Sequence, residues 1–169
     1  MMQLRDLPSI ETLQKFANRY PEADVSAISS FLSLLRVASD LSTALDACLN
    51  RHELLQGRWW VLILLMREDS KTSTPSILAE KAGVSRATMT GLLDGLEQGH
   101  LIERMLTKVD RRSTFVKLTE AGQAKLDVVM PDYYSRLREC MKALNEQDRE
   151  KLKQMLNLVN AGAVALLNE

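Results

Sequence analysis

The segment "TPSILAEKAGVSRATMTGLLDGLEQ" (residues 74–98) decides the fold, because it predicts two short helices joined by a tight turn. Thr74 can cap the first helix, and Pro75 suits its first turn. Gly83 is expected to end that helix, and Ser85 to cap the next one. Two short helices joined by a turn that contains glycine form the helix-turn-helix pattern.

The second of these helices has an apolar face and a slim polar face. Its leucines and methionine recur at the i, i+3, i+4, i+7 spacing that marks a buried stripe: Met89, Leu92, Leu93 and Leu96. The opposite face has no bulky apolar group, so it can enter a DNA major groove. The candidate DNA contacts on it are Ser85, Arg86, Ala87, Thr88, Thr90 and Gly91. An ordinary solvated helix explains this face equally well. Because glycine lowers helix stability, Gly91 and Gly95 indicate a close approach to another group.

A basic hairpin follows the helix pair and favours the DNA interpretation. The stretches "LIERMLT" (101–107) and "STFVKLT" (113–119) predict two strands, with a basic loop between them. Charged hairpin loops are common on surfaces, but a strand pair directly after a helix-turn-helix predicts a wing. Lys108, Arg111 and Arg112 can then reach phosphates or a minor groove, and Asp110 can orient an arginine.

The rest of the composition excludes several classes of protein. Lysine plus arginine number 22 and aspartate plus glutamate 22, yet residues 71–119 hold 8 basic and 5 acidic side chains, where a DNA footprint is expected. Two histidines and no nucleotide-binding or hydrolase motif argue against an enzyme. We predict no metal and no cofactor. The longest apolar run (59–66) is too short for a bilayer span, and no signal sequence is visible, so a cytoplasmic protein without membrane contact is expected.

Helical periodicity covers most of the remaining chain. We predict helices over about 10–20, 25–50 and 53–67, and a C-terminal helical region that is interrupted at Pro131 and capped again by Asn145. The predicted fold class is mainly α with a small antiparallel β wing. Residues 1–24 form an N-terminal extension, 25–52 and 120–169 the dimerisation helices, and 53–119 the winged helix-turn-helix domain.

Three motifs resemble the MarR (multiple antibiotic resistance regulator) family of winged-helix transcription regulators: "VSRATMTGLLDGLEQ", "HLIER" and "DRRSTFVKLTEAG". The resemblance covers about residues 28–168, and the family's D-x-R wing signature falls on Asp110 and Arg112. It implies a homodimer whose two winged helices bind an inverted repeat in double-stranded DNA. His100 replaces the glycine that usually ends the recognition helix, so Gly99 is expected to take the left-handed conformation.

The resemblance also implies a cleft for a phenolic or other aromatic effector, with candidate residues His52, Arg58, Trp59 and Trp60. The residue types leave other roles open, because at least one tryptophan is expected in the core and His52 can be a cap or a surface residue. Cys48 and Cys140 have apolar neighbours, so both are interpreted as inert packing residues.

Two functional hypotheses follow from the sequence. The first is a DNA-binding regulator, a homodimeric repressor that an effector releases from its operator. The second is a winged-helix module that binds protein without specific DNA binding. The basic central third and the arginines of the wing favour the first.

Overall fold

The computed structural model describes residues 6–106 and 114–167 of the 169-residue chain. The chain divides into two compact units, Met1–Leu126 and Asp127–Glu169. The elements, in chain order, are α1 (Ile10–Arg19), α2 (Val25–Asn50), α3 (Gln56–Met66), β1 (Thr72–Ser73), α4 (Pro75–Ala82), α5 (Arg86–Gln98), β2 (Ile102–Leu106), β3 (Thr114–Leu118), α6 (Glu120–Met141), α7 (Glu146–Gly162) and a 3-10 turn (Ala163–Leu166). The predicted fold class, mainly α with a small antiparallel sheet, is confirmed.

Side-chain caps begin most of the described α-helices. The hydroxyl of Ser9 accepts from the Thr12 amide at α1, and the Asp24 carboxylate accepts from the Ala27 amide at α2. At α7 the side-chain oxygen of Asn145 accepts a hydrogen bond from the Asp148 amide at 2.9 Å. Each cap pairs one of the amides that a helix start leaves without a partner.

The core of the first unit lies where α3, α4 and α5 meet the sheet. Apolar side chains from all four parts are almost completely buried there, including Trp59, Leu62, Leu65, Leu78, Met89, Leu93, Leu96, Val116 and Leu118. Burying a leucine or valine side chain contributes roughly 1.5–3 kcal/mol. This shared core fixes α5 against its neighbours and leaves its other side outward.

The sheet has three antiparallel strands in the order β1-β3-β2. Ile102 pairs with Leu118 and Leu106 with Thr114, so the two predicted wing strands are confirmed with their expected pairing. The segment just before α4 also joins the sheet, because Thr72 and Ser73 pair with the end of β3. A two-residue strand has no alternation of its own, and only the partner strand reveals it.

Two predicted helix boundaries are wrong. The helix predicted from residue 53 begins at Gln56, since Glu53 has a φ of 53° and belongs to a turn. The predicted interruption at Pro131 does not occur, because α6 continues through this proline to Met141. Proline removes one backbone donor and usually kinks a helix, but the turns on both sides hold the helical conformation here.

Long apolar surfaces remain exposed on several helices. None of the described residues of α7 is buried, and Leu158 and Leu166 are 74% and 73% exposed. In the first unit, α2 exposes Phe31, Leu35, Val37 and Leu41. Within the described residues, α2 is also the one helix that is long and apolar enough to cross a membrane by length and composition alone. Apolar surfaces of this size are uncommon on soluble monomers.

Candidate nucleic-acid interface

The start of α5 is ordered by Ser85. Its Oγ accepts a hydrogen bond from the Thr88 amide at 3.1 Å and lies 2.9 Å from the Thr88 hydroxyl. Gly83, at the end of α4, has a φ of 64°, which allows the sharp turn between the two helices without steric cost. The turn and the cap together set where α5 begins and which of its residues point outward.

The outer face of α5 is open to solvent. The cap residue and the five α5 residues that were predicted to contact DNA are all exposed: Ser85, Arg86, Ala87, Thr88, Thr90 and Gly91. The Thr90 hydroxyl donates to the Arg86 carbonyl at 2.9 Å, so it stays close to the helix surface. The face is therefore narrow and hydrogen-bonding, which suits the width of a major groove.

Arg104 of β2 ties the wing to one flank of α5. Its Nη1 donates to Glu97 Oε2 at 2.6 Å, and its Nη2 donates to Asp94 Oδ1 at 2.7 Å. The side chain is only 28% exposed. The hydrogen bond to Asp94, followed by the charges of both carboxylates, raises the pKa of Arg104 above its usual value despite partial burial. The carboxylate of Asp94 is thus paired with Arg104.

The opposite flank of α5 is covered by Arg58 of α3. A Cβ atom at Gly95 would overlap the guanidinium group of Arg58, and its distance to Nε would be 2.7 Å. A Cβ at Gly91 would meet no atom within 4 Å. The close approach that the two glycines indicated is therefore real at Gly95, but the approaching group belongs to the same chain. At Gly91 the space is open.

The end of α5 differs from the sequence prediction. Gly99 has a φ of −81°, whereas His100 has a φ of 57° and is the left-handed residue. The Leu101 amide then donates a hydrogen bond to the Leu96 carbonyl at 2.9 Å. This is the 6→1 hydrogen bond of the Schellman motif, which ends many helices. This bond requires the left-handed residue at position 100, one residue after the glycine. His100 therefore adopts a conformation that ordinarily favours glycine.

The "LTEAG" motif joins this turn to α6. The Thr119 hydroxyl donates to the His100 carbonyl at 2.8 Å and accepts from the Gly122 amide at 3.0 Å. A Cβ at Gly122 would overlap the carbonyl oxygen of Leu101. The threonine and the glycine thus allow α6 to start directly against the loop that leads into the wing.

The remaining predicted DNA contacts are Lys108, Asp110, Arg111 and Arg112. They lie outside the described residues, in the segment that connects β2 to β3. The strands on either side of the segment are paired in register. The roles of these four residues therefore stay predictions.

The predicted effector residues occupy different environments. Trp59 is 1% exposed and belongs to the core, which confirms that at least one tryptophan packs there, whereas Trp60 is 43% exposed. Their ring centroids are 4.5 Å apart. His52 is half-buried in the turn before α3, and Arg58 lies against α5 as described above. Trp60 is therefore the aromatic ring that a ligand can reach.

The two cysteines are free and differ in exposure. Cys48 is buried, as its interpretation as a packing residue requires. Cys140 is exposed within the single chain, so for this residue the prediction of buried packing is wrong. Its apolar sequence neighbours on α6 suggested burial, but the chain alone does not cover that side of the helix.

Comparisons with known proteins agree on one family. The sequence model of the MarR family matches residues 56–114, which run from α3 into β3. The HTH-type transcriptional repressor YetL of Bacillus subtilis is 27% identical over 155 residues, covering 92% of this chain and 93% of YetL. The HTH-type transcriptional regulator PecS of Dickeya dadantii is also 27% identical, covering 92% of this chain and 94% of PecS.

Solved structures show the same fold. The MarR family regulator Sco3205 of Streptomyces coelicolor, solved in complex with DNA, superposes with a TM-score of 0.73 at 21% identity, covering 79% of this chain and 85% of Sco3205. AbsC, a MarR family regulator from the same organism, gives a TM-score of 0.74 at 22% identity, over 81% and 93% of the two chains.

Proposed function

We propose that this chain is a MarR family transcription regulator, a homodimeric repressor that binds an inverted-repeat operator and is released by a small effector. Its relatives are transcription regulators and not enzymes. We propose the following domain roles: residues 53–119 bind DNA, residues 25–52 and 120–169 form the dimer, and residues 1–24 are an N-terminal extension.

The exposed polar face of α5 is the observation that carries DNA binding. The helix is held from behind by Met89, Leu93 and Leu96, and its outer residues are exposed. A protein-binding face is expected to carry large apolar or aromatic anchors at its centre, and this face carries hydroxyls, an arginine and small residues. Sco3205, which has the same fold, was solved in complex with DNA, and this supports the proposal.

Selection of bound duplexes from a random-sequence library tests DNA binding directly. We expect recovered sites to contain two inverted half-sites, with centres roughly 10 bp or a multiple of it apart, because a two-fold dimer presents two recognition helices. Affinity should fall steeply with salt, as phosphate contacts require. Recovery of no enriched sequence, with little salt dependence, would favour the protein-interaction module instead.

The exposed apolar surfaces of α2 and α7 support the dimer. Leu158 is 74% exposed on a helix that buries no described side chain, and apolar faces of this kind rarely remain open on soluble monomers. A two-fold partner would also explain how the apolar α2 persists without membrane contact. We therefore propose that these helices bury their faces against a second copy, in the cytoplasm.

Sedimentation of one matched pair of variants tests the dimer. Leu156→Glu places a charge on the side of α7 that Met155, Leu156 and Val159 share, whereas Gln154→Glu places the same charge at an exposed polar position on the other side of the helix. The first should dissociate or aggregate and the second should sediment as wild type. A wild-type chain that is monomeric at micromolar concentration, or that is recovered with membranes, would overturn the dimer proposal.

The effector part of the proposal centres on the turn before α3 and its first residues. A phenolic ring would stack against exposed Trp60 near half-buried His52, while Trp59 forms the wall behind and Arg58 offers a cation. Salicylate is a suitable phenolic probe. It should quench tryptophan fluorescence in the wild type and lower DNA affinity, and Trp60→Phe should remove most of the quenching that depends on the probe. Equal quenching in that variant would place the effector elsewhere.

A further inference from the structure

The guanidinium of Arg58 has an unusual position for a charged group. It belongs to α3, is half-buried, and lies against the backbone of α5 at Gly95. Among the residues that the structure describes, it forms no hydrogen bond or ion pair. The other partly buried arginine in this region, Arg104, has two carboxylate partners. Arg58 thus retains its full donor capacity beside the recognition helix.

The flank next to this guanidinium is open at Gly91. Residues three and four apart share one side of a helix, so Gly95, Gly91 and Thr88 follow one another along α5. Gly91 has no atom within 4 Å of its Cβ position, and Thr88 is exposed. A guanidinium at Gly95 can therefore be approached from outside along an open path over Gly91.

The charge of α5 shows what kind of ligand this cation suits. Residues 86–98 contain one basic residue, Arg86, and two acidic residues, Asp94 and Glu97. Arg104 compensates the two carboxylates, so the helix itself offers a single cation to DNA. A helix that lies in a major groove runs between two phosphate backbones, and cations on its flanks are needed to hold it there.

We propose that Arg58 is a DNA phosphate contact that α3 delivers to the flank of the recognition helix across Gly95. The glycine is required because any side chain there would occupy the guanidinium position, and the arginine then takes the place that a basic residue on α5 itself would fill. This inference rests on the proposed DNA binding, and it assigns to DNA a residue that the sequence placed in the effector cleft.

Binding to a DNA of unrelated sequence measures the contribution of phosphate contacts, without base-specific contacts. A fluorescein-labelled 30-bp duplex of random sequence, titrated by anisotropy between 50 and 200 mM NaCl, reports nonspecific binding, which is almost wholly electrostatic. Arg58→Gln should lower the slope of log affinity against log salt by about 0.9 for each subunit. It should also weaken binding by roughly tenfold at the middle of the range. Arg58→Lys should restore most of the slope.

Two further variants separate position from charge. Arg67→Gln removes the same charge just past the other end of α3, roughly 13 Å along its axis, and should leave the slope unchanged. Gly95→Ala keeps every charge and favours helix, but it displaces the guanidinium and should weaken DNA binding while the melting temperature is held or raised.

The outcomes distinguish this inference from the proposed function. A wild-type protein without salt-dependent DNA binding would overturn both. A steep wild-type slope that Arg58→Gln leaves intact, or that Arg67→Gln lowers equally, would overturn only the role of Arg58. Unaltered binding by Gly95→Ala would overturn the role of the glycine. Arg58→Lys that binds as poorly as the glutamine variant would show that the contact is not electrostatic.

Discussion

Replacing His100 by glycine should stabilise the protein. The residue has a φ of 57°, and its side chain is exposed and forms no hydrogen bond, ion pair or ring contact with the described residues. A side chain in the left-handed region costs about 1–2 kcal/mol, and histidine tolerates it better than most residues. Glycine removes this strain, but it also increases the conformational entropy of the unfolded chain. This second effect reduces the gain by about 0.5–1 kcal/mol. The expected net gain in the free energy of unfolding is about 0.5–1 kcal/mol.

Urea unfolding at one fixed protein concentration measures this gain, because the apparent stability of an oligomer depends on concentration. The melting temperature should rise by roughly 1–4 °C. Gly99→Ala is the matched variant one residue earlier. Gly99 has a φ of −81°, and a Cβ there would lie 3.5–3.8 Å from its nearest neighbours, which is ordinary contact. That change should be neutral or slightly stabilising.

The pair of variants decides which residue ends the recognition helix. If Gly99 were the left-handed residue, Gly99→Ala would cost about 1 kcal/mol or more and His100→Gly would gain nothing. That reversed order would refute the reasoning from the helix end. The order expected here would confirm that the closing bond of Leu101 imposes the strain on His100.

Three other predictions follow from the site. Arg104→Met removes two charge-assisted hydrogen bonds to the recognition helix and should lower the urea unfolding free energy by about 1–2 kcal/mol; a loss below about 0.3 kcal/mol would mean that solvent screens the pairs fully. Gly122→Ala places a methyl group into the Leu101 carbonyl and should cost about 1–3 kcal/mol, so an unchanged melting temperature would contradict the close approach. The hydrogen bond from Lys81 lowers the pKa of Glu68 below its ordinary value of 4.5. The stabilisation of the folded state by this ion pair is therefore present above pH 4.5 and is lost as the pH falls through the folded-state pKa of Glu68. Lys81→Ala should therefore flatten the loss of stability below about pH 4.5 in acid titration, and an identical acid profile in the variant would contradict it.

Local signals predicted much of this fold because they act within one turn of a helix. Ser85 accepts a hydrogen bond from the amide three residues later, and Gly83 supplies the left-handed conformation of a single turn. Neither depends on the rest of the chain, so both are visible in the sequence. The paired wing strands were also visible, since alternation and a separating loop are local properties.

The features that sequence reasoning missed depend on partners distant in the chain. β1 exists because Thr72 and Ser73 pair with β3, and the crowding at Gly95 comes from an arginine on another helix. In the same way, Arg104 reads from the sequence as an ordinary strand residue, and only the packing of β2 beside α5 brings it to two carboxylates. A glycine on a polar face signals a close approach, but its partner can be identified only in three dimensions.

α5 thus has an arginine from another element on each flank of its outer face, Arg104 of β2 and Arg58 of α3. Successive residues on a helix point about 100° apart, so Asp94, which binds Arg104, and Gly95, which receives Arg58, lie on opposite sides of the outer face. An effector that acts on α5 therefore needs no long pathway. An anionic ligand bound beside the start of α3 would compete with phosphate for the same Arg58 guanidinium, and ligand and DNA would then weaken each other reciprocally. Under the proposed function, Arg58→Gln should abolish the effect of salicylate on DNA affinity even where salicylate still binds near Trp60. A variant that loses DNA affinity but keeps the full ligand response would show that release acts through the dimer and not through this arginine.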